Sequence, residues 1–214
     1  MKIEIKLNNV TVEKEIPTKW AEVSFEKFLK LTSCGDDTVK IISLFTDIDE
    51  ETLKKAKIAN LESLISLLGF LKTEMNLTIP ETCQGYKIPK NLEFETIGQY
   101  QDLKAEAMIL SQTNSFEQYA LFCAIYATNP YDYKKAEELK SVFMNAPCTE
   151  VMAIGNFTLA KLAELMTGIK AKSLLPNIPT KKFWLVLTVW LRSLVFTARY
   201  FIWRKKLLSI GRNS

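Results

Sequence analysis

The strongest constraint on this chain is a stretch of sixteen residues that occurs twice, at 16–31 and at 88–103, without a gap in the alignment. Both copies open with Ile-Pro and place a Ser or Thr eight positions later. Proline favours an extended residue before it, and Ser or Thr is a favoured helix N-cap. Thr96-x-x-Gln99 also has the spacing of a capping box. Apolar residues at one, four and seven positions after the cap predict one apolar helix face in each copy, formed by Phe25, Phe28, Leu31 and by Ile97, Tyr100, Leu103.

The segments around the two copies follow a common order. Alternating apolar and charged residues predict a β-hairpin over 2–7 and 10–15, and a shorter hairpin over 79–83 and 86–88. Cap signals and helical periodicity then predict helices in both halves. In the first half these are 24–32, a short buried helix near 39–45, 50–57 after an Asp49 cap, and a longer helix from an Asn60 cap. In the second half they are the Thr96 helix, a looser insertion at 105–114, a buried helix opened by Ser115-x-x-Gln118, an amphipathic helix at 133–145 and a long helix from Pro147 to Thr167.

This order predicts an α+β, mostly helical chain built by tandem duplication of a unit that combines a β-hairpin with helices. Residues 1–77 form the first repeat and residues 78–169 the second. Residues 170–182, which include Pro176 and Pro179, form a linker. Residues 183–214 form a C-terminal helical arm that is both apolar and basic.

The residue content argues against an enzyme, a cofactor site or a metal site. The chain has no His, which removes the usual general base and the commonest metal ligand. No phosphate-binding loop, nucleophile elbow or zinc-protease motif is present. Acidic groups such as Asp36-Asp37 fall at predicted helix starts, where capping explains them.

The four cysteines stand far apart and predict reduced, mostly buried thiols in a cytoplasmic setting: Cys34, Cys83, Cys123 and Cys148. The N-terminus leads directly into a strand pattern, and we expect no signal peptide.

Charge divides the chain sharply. Residues 170–214 hold ten basic residues and no acidic residue. The other 18 basic and 24 acidic residues give residues 1–169 a net charge of −6. An acidic body that carries a strongly basic tail is typical of a partner-binding appendage.

Within the arm, residues 183–203 are predicted to form an amphipathic helix that includes three of the four tryptophans. We expect its apolar residues to anchor it on another protein and its arginines to pair with acidic neighbours. The residues predicted to make this contact are Trp184, Leu187, Trp190, Arg192, Leu194, Arg199, Phe201, Trp203 and Arg204.

Other interpretations of the arm stay open. Its 21 residues would span a bilayer, but Arg192 lies near the middle, where an arginine costs about 2.5–3.5 kcal/mol on an insertion scale. A helix lying in the membrane interface is a second alternative. Nucleic acid is disfavoured because Arg and Lys are too sparse within residues 183–203 to follow a phosphate backbone. We favour protein contact, because the acidic body offers partners for the arginines.

A resemblance follows from the repeated pattern. A hairpin, then Ile-Pro, then Trp or Leu, then a Ser/Thr-Phe/Ile-x-x-Phe/Tyr-x-x-Leu helix, with Asp-Ile-Asp-Glu-Glu-Thr-Leu at 47–53, resembles small structural proteins of tailed bacteriophages. The nearest likeness is a ring protein of the portal–tail region of crAss-like, podovirus-type phages, over residues 1–169. The resemblance implies a virion protein that forms a closed ring around the portal axis through heterologous interfaces. It supplies no catalytic residues.

The resemblance makes a non-enzymatic virion ring protein the expected function, with location in the virion and, during assembly, in the host cytoplasm. The expected partners are further copies of the chain, the portal and other head-to-tail or tail proteins, without a small-molecule substrate. One alternative is a tail-assembly chaperone that is absent from the mature virion. A second is a membrane-interacting protein that acts in genome ejection through the arm.

Overall fold

The structure is a computed structural model that describes residues 2–7 and 10–167, with side chains from residue 13 onward except those of Ala59 and Thr167. The predicted linker and arm, residues 170–214, lie outside the described residues, as do Asn8, Asn9 and Gly168. Within the described residues the chain is mostly helical and carries two small antiparallel hairpins. This confirms the prediction of an α+β, mostly helical fold.

Both predicted hairpins are present. Strand β1 (Lys2–Leu7) pairs with β2 (Val10–Glu15), with Leu7 opposite Val10. Strand β3 (Thr82–Cys83) pairs with β4 (Tyr86–Lys87) and is shorter than predicted. Gln84 and Gly85 join β3 to β4 with φ angles of 52° and 80°. Two successive positive φ angles match the twist of a tight hairpin, and glycine adopts such an angle without steric cost.

Residues 2–7 and 10–167 contain eight α-helices. They are α1 Phe25–Cys34, α2 Thr38–Thr46, α3 Glu50–Lys54, α4 Ile58–Leu67, α5 Ile97–Thr113, α6 Gln118–Ala127, α7 Tyr133–Met144 and α8 Cys148–Thr167. Predicted caps start several of them. Ser24 accepts a hydrogen bond from the backbone N–H of Lys27, and Thr96 accepts one from Gln99. Asp37 caps α2 and Asp49 caps α3 in the same way, which confirms the capping explanation for these two acids.

The two copies of the repeated stretch adopt the same local structure up to the cap. In each, a buried isoleucine (Ile16 or Ile88) precedes the proline, and a 3₁₀ turn follows before the capping residue. After the cap the copies differ. Phe25 is fully buried, whereas the equivalent Ile97 is 77% exposed. The apolar face predicted for the second copy is therefore wrong at Ile97, because α5 turns a different side towards the core. The duplication of whole halves stays a prediction.

Four predicted boundaries are wrong. Asn60 does not cap a helix, because α4 begins at Ile58 after Lys57. Helix α3 ends at Lys54 instead of residue 57. Residues 105–114 are not an insertion but the second half of α5, which continues to Thr113. The Ser115-x-x-Gln118 box does not form, because α6 begins at Gln118 after Glu117, without a side-chain cap.

Helix α6 lies at the centre of the second half. All eight residues from Tyr119 to Tyr126 are buried, and α6 packs against α5, α7, α8 and β4. A helix that is apolar on every side belongs inside a core. The buried apolar side chains of residues 16–162 form a continuous cluster that joins this half to α1, α2 and the 3₁₀ turn at Trp20–Glu22.

A short backbone clasp joins the first half to the second. The N–H of Phe25 donates to the Ala146 carbonyl, and the N–H of Cys148 donates to the Val23 carbonyl, both at 2.8 Å. The bonds flank a β-bridge between Ser24 and Pro147. Because Pro147 has no backbone N–H, the hydrogen bonds come from the N–H groups of Phe25 and Cys148, the residues that follow the bridged pair. The start of α1 is thereby held against the start of α8.

We expect Gly155→Ala to destabilise the fold by about 1–3 kcal/mol, the usual cost of overpacking a core. A Cβ at residue 155 of α8 would overlap the ring of Tyr119, which is fully buried and whose hydroxyl donates to Asn156 at 2.9 Å. Urea denaturation measures the change. The matched control is Gly98→Ala in α5, where the new Cβ would meet nothing closer than 3.6 Å. Its expected effect is a gain of about 0.5–1 kcal/mol from helix propensity, and equal effects at both positions would contradict the packing.

Candidate protein-interaction surfaces

Exposed apolar side chains concentrate on two helices. Residues Ile97, Met108 and Ile109 of α5 are 77%, 55% and 38% exposed. Residues Phe157, Leu165 and Met166 of α8 are 49%, 52% and 51% exposed. Single exposed apolar residues are normal on any protein, whereas several along one helix indicate a surface that another molecule covers.

The fully exposed residues of α5 carry no charge, and the half-buried Lys104 lies beside them. These exposed residues, here called the α5 face, are Ile97, Gln101, Ala105, Met108, Ile109, Gln112 and Thr113. The opposite side holds Leu103 and Leu110 in the core. Gln99 is buried on the inner side of α5, where its Oε1 accepts from the Glu95 N–H at 2.8 Å and its Nε2 donates to the Ile125 carbonyl at 3.2 Å. These contacts fix the rotation of α5 and hence the side that faces outward.

The burial of side chains decreases along helix α8. Its first half is enclosed, with Val151, Ala153 and Ile154 all fully buried. The core-facing positions continue at helical spacing to Leu162, which is 3% exposed, and then to Met166, which is 51% exposed. The last turn therefore extends beyond the body and carries its apolar positions into the open. Leu165 and Met166 of this last turn are here called the α8 face. The exposed Phe157 precedes Leu162 and lies on the side of the helix opposite Met166.

Other helices present ordinary solvated sides. The exposed residues of α7 are Lys134, Lys135, Glu137, Glu138 and Ser141. Those of α3 are Glu51, Thr52 and Lys54. Depletion of charge is what distinguishes the centre of a protein interface from the remaining surface. The fully exposed residues of α5 have this property, whereas those of α3 and α7 do not, and the half-buried Lys161 and Glu164 lie beside the α8 face.

One flank of α5 is acidic and carries two phenol–carboxylate pairs. Tyr131 donates a hydrogen bond to Asp102, and Tyr133 donates one to Glu106 at 2.7 Å. Burial raises the pKa of both tyrosines, and the neighbouring carboxylates raise it further. Both hydroxyls therefore stay protonated at neutral pH and act as donors. Asp132 and Glu137 add further negative charge around the two phenols. This group is here called the acidic flank.

The cysteines are unsuited to thiolate chemistry. Cys83, Cys123 and Cys148 are buried free thiols, and Cys34 is half-buried, as predicted. Burial raises the pKa of Cys148 to about 12, and it also raises those of Cys83 and Cys123. A thiol with a raised pKa stays protonated and is a poor nucleophile or metal ligand at neutral pH. No cluster of Cys, Asp and Glu able to hold a metal ion occurs among the described residues.

The predicted contact residues of the arm lie outside the described residues. These are Trp184, Leu187, Trp190, Arg192, Leu194, Arg199, Phe201, Trp203 and Arg204. In the range that is described, no helix combines the length and apolar content needed to cross a bilayer.

Neither the α5 face nor the α8 face is among the predictions from the sequence. The α5 face was missed because residues 105–114 were assigned to an insertion. The sequence does contain a signal for one continuous helix, since no Gly or Pro interrupts residues 99–113. The α8 face was missed because helical periodicity does not show where the surrounding core ends.

The comparisons with known proteins found nothing similar: the chain matches no protein-family model, no curated protein and no solved structure. The candidate surfaces therefore stand on their geometry alone.

We expect Tyr133→Phe to destabilise the protein by about 1–3 kcal/mol, because it removes the hydrogen-bond donor of a buried carboxyl group. Glu106 is 6% exposed. The matched variant is Tyr131→Phe, whose partner Asp102 is half-buried and can recover a hydrogen bond from water. Its expected cost is only about 0.5–1.5 kcal/mol. Urea denaturation of both variants tests the order, and a larger loss for Tyr131→Phe would contradict it.

Proposed function

We propose that this chain is a non-enzymatic structural protein that assembles with copies of itself, as a ring in the portal–tail region of a tailed-phage virion. The observation that carries the assembly role is the α5 face, whose fully exposed residues are all uncharged, together with the apolar α8 face. The phage setting rests on the sequence resemblance described above. The tandem duplication of the body and the protein-binding arm belong to the same proposal.

Two different faces suit a ring. A closed ring of identical subunits uses a heterologous interface, in which one surface of a subunit meets a different surface of the next. The α5 face and the α8 face lie on separate helices, both packed against α6. A continuous core spanning residues 16–162 holds the two faces at a constant separation, which a regular ring requires.

The basic arm supplies a further contact in this proposal. The described body is acidic, whereas residues 170–214 carry ten basic residues and no acidic residue. Opposite charges on the two parts favour contact between subunits over solvation of each part alone, and the attraction weakens as salt is added.

Removal of residues 176–214 should leave a folded body that no longer assembles. Among the described residues the core cluster ends at Leu162, and the truncated chain keeps that part of the core. Circular dichroism and urea unfolding would report the fold, and light scattering coupled to size exclusion would report the mass. A truncated chain that still forms the oligomers of the full chain would contradict the role of the arm.

Leu165→Glu should weaken assembly with little effect on stability. Leu165 is 52% exposed, and substitutions at such surface positions usually change stability by less than about 0.5 kcal/mol. A charge placed at the centre of an apolar contact disfavours association. The matched control is Ser141→Glu on the solvated side of α7, which should leave the oligomer mass unchanged.

Mass spectrometry of purified virions tests the location. The proposal requires the chain to be present in the finished particle. An assembling chain that is absent from the particle would instead support the tail-assembly chaperone.

A further inference from the structure

We infer that the α5 face is the docking site for the apolar, basic segment 183–206 of this chain. This inference deepens the proposed function and rests on it for the idea that the arm binds protein. In the ring, the α5 face then meets the arm, and the α8 face meets another part of the neighbouring subunit. Three features support it: the α5 face, the acidic flank beside it and the sequence of the segment.

Charge favours the α5 face over the α8 face. The acidic flank contains Asp102, Glu106, Asp132 and Glu137, and none of them forms an ion pair with a Lys or Arg among the described side chains. By contrast, α8 carries both Lys161 and Glu164 in its exposed half. Helix α5 also carries one half-buried cation, Lys104, but the acids of the acidic flank outnumber it, whereas Lys161 and Glu164 balance each other on α8. A segment with basic residues and no acidic residue therefore finds a more complementary partner beside α5 than beside α8.

The composition of the two partners also matches. The α5 face offers apolar and uncharged polar side chains, with the acidic flank along one edge. Residues 183–203 offer a predicted apolar side that includes Leu187 and Leu194, with Arg192 and Arg199 spaced two helical turns apart. An amphipathic helix laid along α5 would cover the apolar side chains and place its arginines near Asp102.

The dimensions allow this contact. Helix α5 has 17 residues and is about 26 Å long at 1.5 Å per residue. Residues 183–203 would form a helix of about 32 Å. Residues 168–182 can extend to about 50 Å, compared with a radius of gyration of about 15 Å for a body of this size. The segment can therefore reach the α5 face of its own body or that of a neighbouring subunit.

Photo-crosslinking in the full chain tests the docking site. The variant Ala105→p-benzoyl-phenylalanine places a crosslinker on the α5 face, and mass spectrometry of the digest identifies its target. The expected product joins residue 105 to a peptide within 183–206. Crosslinkers at Ser141 on α7 and at Leu165 on α8 are the matched controls and should not reach that segment. Circular dichroism verifies folding, and Gln112 provides a second position on the same face.

The electrostatic part is tested by two double variants in the same assay. Arg192→Glu with Arg199→Glu should lower the crosslinking yield several-fold, whereas Arg192→Lys with Arg199→Lys should largely preserve it. A product from residue 165 to the segment, or none from residues 105 and 112, would overturn the inference. An unchanged yield in the Glu variant would also overturn it.

Mixing ¹⁵N-labelled and unlabelled chains separates this inference from the proposed function. Crosslinks between labelled and unlabelled chains show docking between subunits and support both. Crosslinks confined to one chain in a protein that stays monomeric support the docking site and contradict the ring. Oligomers that form without the residue 105 product leave the ring standing and reject the docking site.

Discussion

The clasp between residues 23–25 and 146–148 is the contact on which the rest of the structure depends. Its two backbone hydrogen bonds join segments more than 120 positions apart in the sequence. The thiol of Cys148 also donates to the Trp20 carbonyl at 3.2 Å, and the indole of Trp20 donates to the Thr73 carbonyl at 3.1 Å. The start of α8 is thus connected to the 3₁₀ turn, to α1 and to the end of the first half. Because the residues of the two clasp bonds are buried, each of these bonds left unmade would cost about 1–3 kcal/mol.

Helix α8 is enclosed by other elements at its start and exposed at its end. The first turns of α8 lie between α1, α6 and the Trp20 turn, and they bury side chains on every side. A 20-residue helix is about 30 Å long. Its far end therefore lies beyond the elements that enclose its beginning, and Met166 is exposed although Leu162 is not. The α8 face follows from the length of this helix relative to the core around it.

The α5 face has a different origin. Gln99 holds the start of α5 by two hydrogen bonds, one to the turn before the helix and one to the end of α6. Tyr131 and Tyr133 hold the next two turns through Asp102 and Glu106. Polar contacts on the inner side of α5 thus replace part of the apolar packing that usually orients a surface helix. Apolar side chains such as Met108 are left on the outer side. The carboxylates of the acidic flank form no ion pair among the described side chains.

The sequence by itself determined the local features of this protein: both hairpins, the Ser24, Asp37, Asp49 and Thr96 caps, and the long final helix of the body. These features depend on residues within one helical turn of each other or across one short hairpin, and such local interactions do not require the rest of the fold. Only the tertiary structure decided which side of each helix is buried. Phe25 and Ile97 occupy the same place after the same kind of cap, yet one is in the core and the other in solvent. Their difference comes from the clasp beside α1 and the Gln99 contacts beneath α5, which join residues distant in sequence and leave no periodic signal. For the same reason the α5 face could be recognised only after folding, whereas the composition and charge of the arm were evident from the chain alone.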